Sequence, residues 1–331
     1  MIRRACMILG LCMMLGGCSA LPAEERSFAV ALGVSAKDGL WEVSARIPSY
    51  QSDGGYMTLE AEGNSLQEAL GMLDASAPMR MHYGQVRLIV FGYELAQTDA
   101  FCQAVEELSC RADIRLQAQV CVTQDDVKLL MDALNAQTGM RLSKSLDVML
   151  ETRQKLGVIP DTSLSSMMRM GERQHAVLMT AHLDETGIVR LEAGCLTDSE
   201  SRAAAMLTPE EMQLLSLMQG RMKKAVLMLG GHGVMLTDVS SSVMLEGSAV
   251  QCCLELKTAA SEWKTEDIRR DVQNTAAALV QKLSAARCDA LGLGRQAVRQ
   301  ALDMQAWHTM NWPGVYPQLV WDITVEVQPP A

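Results

Sequence analysis

The sequence predicts an α+β fold, multidomain, with mixed or antiparallel sheets and packed helices. Three observations carry that expectation. Strand-like and helix-like segments intermix along the 331 residues without the regular spacing of βαβ units. Leu319–Val327 alternates strictly, placing Trp321, Ile323, Val325 and Val327 on one face, as a half-buried strand does. Thr208-Pro209-Glu210-Glu211 combines a cap, a proline at the first helical position and an acidic first turn, which marks a helix start among those strands.

The elements follow in order. Ser27–Ile47 reads as a hairpin of Phe28–Val34 and Leu40–Ile47, with Asp38-Gly39 supplying positive φ at the turn. Ser65-Leu66-Gln67-Glu68 has capping-box spacing and opens a helix that Pro78 stops. Val86–Phe91 is a buried strand. Thr98 caps a helix with Phe101, Val105 and Leu108 on one face, Leu116–Val122 is a further strand, and Thr123 starts a helix through Leu134. Ala176–Met179 and Ile188–Ala193 form a second hairpin, and Gly220 closes the helix that Thr208 opens. Strands near 223–229, 234–239 and 243–258 come next; alternation in the last puts Cys252 towards the core and Cys253 towards solvent. A long helix from Thr265 to about Cys288 buries Ile268, Val272, Leu279 and Leu283. Residues 153–172, with Pro160, Asp161 and a serine cluster, carry little periodicity and read as a linker. The expected organisation is a signal peptide over 1–17, an N-terminal α+β region over 18–152, that linker, and a C-terminal α+β domain over 173–331.

The first eighteen residues carry their own message. Arg3 and Arg4 precede an uncharged apolar run of 13 residues, 5–17, which is short for a membrane span and fits the core of a secretory signal. The run ends Leu15-Gly16-Gly17-Cys18, a pattern that resembles a bacterial lipobox. Small residues ahead of the cysteine suit a narrow peptidase cleft, and the Cys18 thiol can carry a diacylglycerol. Two or more acyl chains hold a protein firmly, at about 0.8 kcal/mol per buried CH₂. Cys18 is therefore the expected lipidation site, and the body after it is anchored at a membrane rather than spanning one.

Composition narrows the function classes. Removing Arg3 and Arg4 leaves 27 basic against 39 acidic side chains, a net of −12, which argues against nucleic acid as a partner. Of ten cysteines, three lie at 6, 12 and 18; the rest show no CxxC and no Cys/His cluster at metal spacing. Most fall on apolar faces and read as buried thiols. Cys102 and Cys110 sit about 12 Å apart along one helix and cannot bridge there.

No catalytic constellation emerges. Gly230-Gly231-His232-Gly233 lies between apolar strands, as a tight turn does, without the helix start and Lys-Ser/Thr of a phosphate loop. Ser240-Ser241-Ser242 lacks an esterase elbow. His175 and His182 could meet across a hairpin but have no further ligand at metal spacing. The 24 methionines fit core gaps better than a binding groove. The residues alone describe a non-enzymatic extracytoplasmic module with no cofactor and no metal.

The C-terminal residues add a resemblance. Asp289-Ala290-Leu291-Gly292-Leu293-Gly294-Arg295, then Trp307, Trp312 and Tyr316-Pro317 ahead of the last strand, is similar to the closing signature of the Ger(x)C family. Gly63–Ala69, Met81–Val90, Glu94-Leu95-Ala96 and Arg111–Arg115 resemble that family's upstream elements in the same order. Leu291 and Leu293 replace aromatics, Gln85 stands where a histidine is usual, and Ser35 where an aspartate is. The resemblance implies a lipoprotein C subunit of a spore nutrient germinant receptor, on the outer face of the spore's inner membrane. Its implied partners are the receptor's membrane-embedded A and B subunits, and its implied role is scaffolding or signal coupling without catalysis. Trp307 and Trp312 are expected to pack under the Gly292/Gly294 turn and fix the last strand. The competing expectation is a solute-binding lipoprotein that captures a small molecule between its domains.

Overall fold

A computed structural model describes residues 26–49, 55–135, 140–170, 177–230, 232–259, 264–300 and 310–329. Along the chain the strands and helices of the first half are β1 (Arg26–Phe28), β2 (Ala31–Lys37), β3 (Leu40–Pro48), β4 (Tyr56–Gly63), α1 (Leu66–Ser76), β5 (Arg80–His82), β6 (Leu88–Gly92), α2 (Tyr93–Ala96), α3 (Asp99–Cys110), β7 (Gln119–Thr123), α4 (Val127–Ala133), α5 (Leu142–Lys155) and α6 (Leu164–Met170). The second half continues with β8 (Val177–Leu183), β9 (Val189–Thr197), β10 (Ala203–Leu207), α7 (Pro209–Met218), β11 (Ala225–Leu229), β12 (His232–Glu246), β13 (Ala249–Thr258), α8 (Thr265–Ala285), α9 (Leu293–Gln300), α10 (Trp312–Val315) and β14 (Val320–Gln328). The α+β class expected from the sequence is what forms.

One sheet has eight strands in the order β10-β9-β8-β7-β6-β2-β3-β4. Its central strands β2, β6, β7 and β8 run parallel, while β3, β4, β9 and β10 are antiparallel to their neighbours. Parallel strands need cover on both faces. Residues of α1, α3 and α6 pack with one face around Phe91 and Phe101, and residues of α4 and α5 pack with the other around Val90 and Cys121. This explains why Val86–Phe91 reads as a continuous apolar run rather than an alternating one. The short β1 and β5 pair parallel as a separate ribbon.

The second sheet has four strands in the order β11-β12-β13-β14, with β13 and β14 parallel across a helical crossover. One face is covered by α8, whose Ile268, Val272, Leu279 and Leu283 are all buried. Cys252 is buried and Cys253 exposed, as alternation predicts. Helix α7 is buried from Glu211 to Met218 and joins a core that holds Leu196 and Leu207 of the large sheet with Leu227, Leu254 and Ile268 of the small half. Its buried polar side chains are each satisfied, Glu211 by Lys282, Gln213 by Val226 O and Ser216 by Gly157 O.

Several boundaries move, each for a local reason. The described part of the expected 153–172 linker, residues 153–170, is not free: α5 extends to Lys155, Thr162 is buried and donates to Val120 O at 2.6 Å, and Ser163 bridges Gln119. Nor does a new sheet begin at 173, because β8, β9 and β10 complete the large one. Thr98 Oγ1 donates to Leu95 O instead of capping α3, and Asp126, not Thr123, caps α4 through Leu129 N at 2.9 Å. The strand expected from Leu116 starts at Gln119. The strands expected at 234–239 and 243–258 are redistributed: β12 runs unbroken to Glu246, and Gly247 at φ 64° turns the chain into β13. A register shift between Leu236 and Asp238 changes which residues face inward, so β12 reads in sequence as two strands.

Two helix starts form as expected. Thr208 and Glu211 make a full capping box, and Gly220 follows that helix at φ 68°. At α1 Ser65 accepts from Glu68 N at 3.1 Å, but Glu68 reaches back to Asn64 N at 2.8 Å, one residue earlier than a capping box does.

Candidate functional site

Two places concentrate polar or aromatic side chains. The first is a crevice at the ends of the central parallel strands. Lys37 closes β2, Gly92 closes β6 and Thr123 closes β7, and the loops beyond them surround a cavity of about 430 Å³. In open α/β sheets, ligands bind outside the carboxyl ends of the strands. Here Glu42, Glu94, Asp125 and Asp126 make that end acidic. Ser35 Oγ donates to Glu42 Oε2 at 3.0 Å, and Asp125 Oδ2 accepts from Leu183 N at 2.6 Å. An adjoining cavity adds Glu60, Glu62 and Ser44, with Lys128 bonded to Glu60 at 2.5 Å. The buried Ser44 hydroxyl has no partner among the described residues.

Sequence reasoning misses this crevice. Its carboxylates come from three separate segments, with a fourth adding Glu60 and Glu62 in the adjoining cavity, so no local spacing joins them. The usable signal is that acidic residues follow directly after two buried strands, at Gly92-Tyr93-Glu94 and Thr123-Gln124-Asp125-Asp126.

The second place is the turn into α9. Asp289 is buried; its Oδ1 accepts from Leu293 N at 2.7 Å and its Oδ2 from Gly294 N at 2.6 Å and Trp312 Nε1 at 3.3 Å. Gly292 adopts φ 73°, which favours glycine. A Cβ on Gly294 would stand 2.9 Å from Trp312 Nε1 and 3.0 Å from Asp289 Oδ2, so the indole fits only against a bare backbone. Trp312 stacks edge-on to Tyr316 at 5.8 Å, and both pack with Leu245, Val250, Leu293 and Leu319. Burial and the neighbouring Asp289 carboxyl hold the Tyr316 hydroxyl well above its ordinary pKa. Gln296 bonds Val243 O and Leu245 N, which fixes α9 to β12. The expectation that Trp312 packs beneath the glycine turn is met. The aromatic is a packing element that closes the small half.

The remaining residues that the sequence singles out carry less. Cys18, Trp307, His175 and Gly231 lie outside the described residues. His182 Nε2 meets Glu192 at 3.6 Å, and among the described residues no group of His, Cys, Asp or Glu could hold a metal ion. Ser240–Ser242 lie within β12. Burial pushes the Cys195 and Cys288 thiols up to about 12 and Cys252 up to about 11, so these sulfurs stay protonated and behave as small apolar groups. No described helix is long and apolar enough to cross a membrane.

The geometry therefore defines an α+β protein of two main sheets and a short ribbon, with a packed aromatic-glycine closure and an acidic crevice. Residues 20–181 match the family described as the spore germination protein N-terminal domain, which supports the resemblance of the chain to the Ger(x)C spore germination proteins. A crystal structure of the GerBC protein shares the fold at a TM-score of 0.55 and 11% identity, over 91% of this chain and 98% of that one. No curated protein matches.

Proposed function

We propose that the chain is the lipid-anchored subunit of a spore nutrient germinant receptor, on the extracytoplasmic face of the spore inner membrane. It works without catalysis, as a scaffold or signal-coupling component beside membrane-embedded A and B subunits. The observation that carries this reading is positional: the germination domain begins at residue 20, two residues past the lipobox cysteine Cys18. The buried thiols and the structural role of the Asp289–Trp312 contact favour a role through surfaces rather than bond chemistry. Affinity purification of the protein from spore membranes tests it: A-type and B-type subunits are expected to co-purify, and Cys18→Ala is expected to release the protein or leave it unprocessed. Unchanged membrane retention in that variant contradicts the anchor.

The second reading, a solute-binding lipoprotein, is favoured by the 430 Å³ crevice. That crevice lies at one end of the large sheet, lined entirely by residues 35–127, rather than between domains. A thermal shift with small nutrient solutes, lost in Asp125→Asn or Glu94→Gln, would mark it as a binding site.

A further inference from the structure

The two ends of the large sheet carry opposite charge. Where β2, β6 and β7 finish, the crevice gathers Glu42, Glu94, Asp125 and Asp126, with Glu60 and Glu62 beside them, against two cations, Lys37 and the Glu60-paired Lys128. Where the same strands begin, cations predominate. β1 enters β2 at this end and pairs with β5, which sets Arg26 beside Arg80. Arg87, just ahead of β6, forms an ion pair with Asp147 of α5 at 3.0 Å, and Arg115 and Lys144 act on that same carboxylate. Helix α5 spans this end. Its Leu142 N–H donates to the hydroxyl of Tyr56, the first residue of β4, at 2.7 Å. Near its other end Gln154 donates to Gln119, the first residue of β7, at 3.2 Å.

Exposed Arg141 leads into that helix. Two exposed apolar side chains adjoin the cations, Met140 before Arg141 and Leu116 after Arg115. The acids nearby are Asp147, Asp113 paired with Arg111, Asp74 bonded to Tyr83, Asp132 paired with Arg46, Asp161 bonded to Gln119, and Glu151 paired with Lys155. In a chain of net charge −10, a cationic end with exposed apolar side chains is a marked local asymmetry.

The short tether says what this end meets. Seven residues, eight Cα steps, separate Cys18 from Arg26, a reach of at most about 28 Å when extended. The tether, which carries Glu24 and Glu25, enters the body at the cationic end. The crevice lies a strand length further on, roughly 23 Å for the seven residues of β2. Basic residues at an anionic membrane surface each strengthen binding about fivefold, and adjacent apolar side chains enter the headgroup layer. We propose that this end of the large sheet lies against the bilayer, with Arg80, Arg115, Arg141 and Lys144 on anionic headgroups and Leu116 and Met140 in the interfacial layer. The acidic crevice then faces away from the membrane. This orientation rests on the reading of Cys18 as the lipid-bearing residue.

The test uses the full lipidated chain on two kinds of vesicle, phosphatidylcholine alone and phosphatidylcholine with phosphatidylglycerol in equal parts. Flotation reads the anchor and hydrogen exchange reads the orientation. The chain is expected to float with both. Exchange is expected to slow in 78–87, 113–119 and 140–146 on the anionic vesicles alone, with 35–42 and 92–95 unchanged. Arg80→Glu/Arg115→Glu/Lys144→Glu is expected to abolish that protection and keep flotation. Flotation with protection at the acidic end, at neither end, or at the cationic end only when membrane subunits are added overturns the orientation and spares the anchor. A chain that floats with neither vesicle overturns both.

Discussion

The two sheets bury their strands differently, and that difference decides how each half is held. The large sheet encloses its parallel strands between two helical layers, so Leu88, Ile89, Val90 and Phe91 are all buried in sequence. The small sheet buries one face under α8 and leaves the other to solvent, so Val250, Cys252, Leu254 and Leu256 are buried while Gln251, Cys253, Glu255 and Lys257 are exposed. A two-sided core depends on volume filling from both directions. The small half depends on one layer of contacts and on the Asp289 closure that pins α9 and Trp312 over its end. Between them α7 serves both cores.

Mutations in the two regions test that contrast. Phe91→Ala removes a fully buried ring that meets Phe101 edge-on at 5.0 Å, and is expected to cost about 3–5 kcal/mol in urea or thermal unfolding. Trp312→Ala is expected to lower stability by about 3 kcal/mol, because the indole both fills the small core and donates to Asp289. A fully stable Trp312→Ala protein that no longer co-purifies the proposed membrane subunits would instead make that aromatic an interface residue.

Smaller changes probe the join and the turn. Glu211 closes the α7 capping box and bonds Lys282 Nζ of α8 at 2.7 Å, so Glu211→Ala is expected to cost about 2 kcal/mol. An effect within experimental error would mean that α7 is held by apolar packing alone. Gly294→Ala is expected to cost about 1–2 kcal/mol by displacing Trp312. Thiol labelling at neutral pH is the gentlest probe. Exposed Cys110 and Cys253 are expected to react in the folded protein, whereas buried Cys121, Cys195, Cys252 and Cys288 wait for unfolding. The sign follows from burial: it raises the thiol pKa, and only the thiolate attacks.

The same contrast explains what is legible in the sequence. One-sided burial writes its alternation into the chain, so the faces of β13 and β14 are readable, as are the α8 stripe and the Thr208 capping box. Two-sided burial erases alternation, and the sequence shows strands there without saying which lie side by side. Pairing β8, β9 and β10 with β7 is a long-range choice that no local pattern encodes, which is why the sequence points to a domain boundary at 173. The register shift in β12 breaks a real strand into two apparent ones. The packing of Trp312 against the Gly292/Gly294 turn is legible only through the family resemblance, and the part that the Asp289 carboxylate plays in it, 23 residues away from Trp312, is not legible at all. The crevice is invisible because the β2–β3 hairpin and the segments after β6 and β7 meet only in the fold.

Everything proposed about the membrane depends on residue 18. Intact-mass and N-terminal peptide analysis of the protein extracted from membranes should show a chain that begins at Cys18 and carries a diacylglycerol on its sulfur. A chain that retains residues 1–17, or begins elsewhere with an unmodified Cys18, would contradict it.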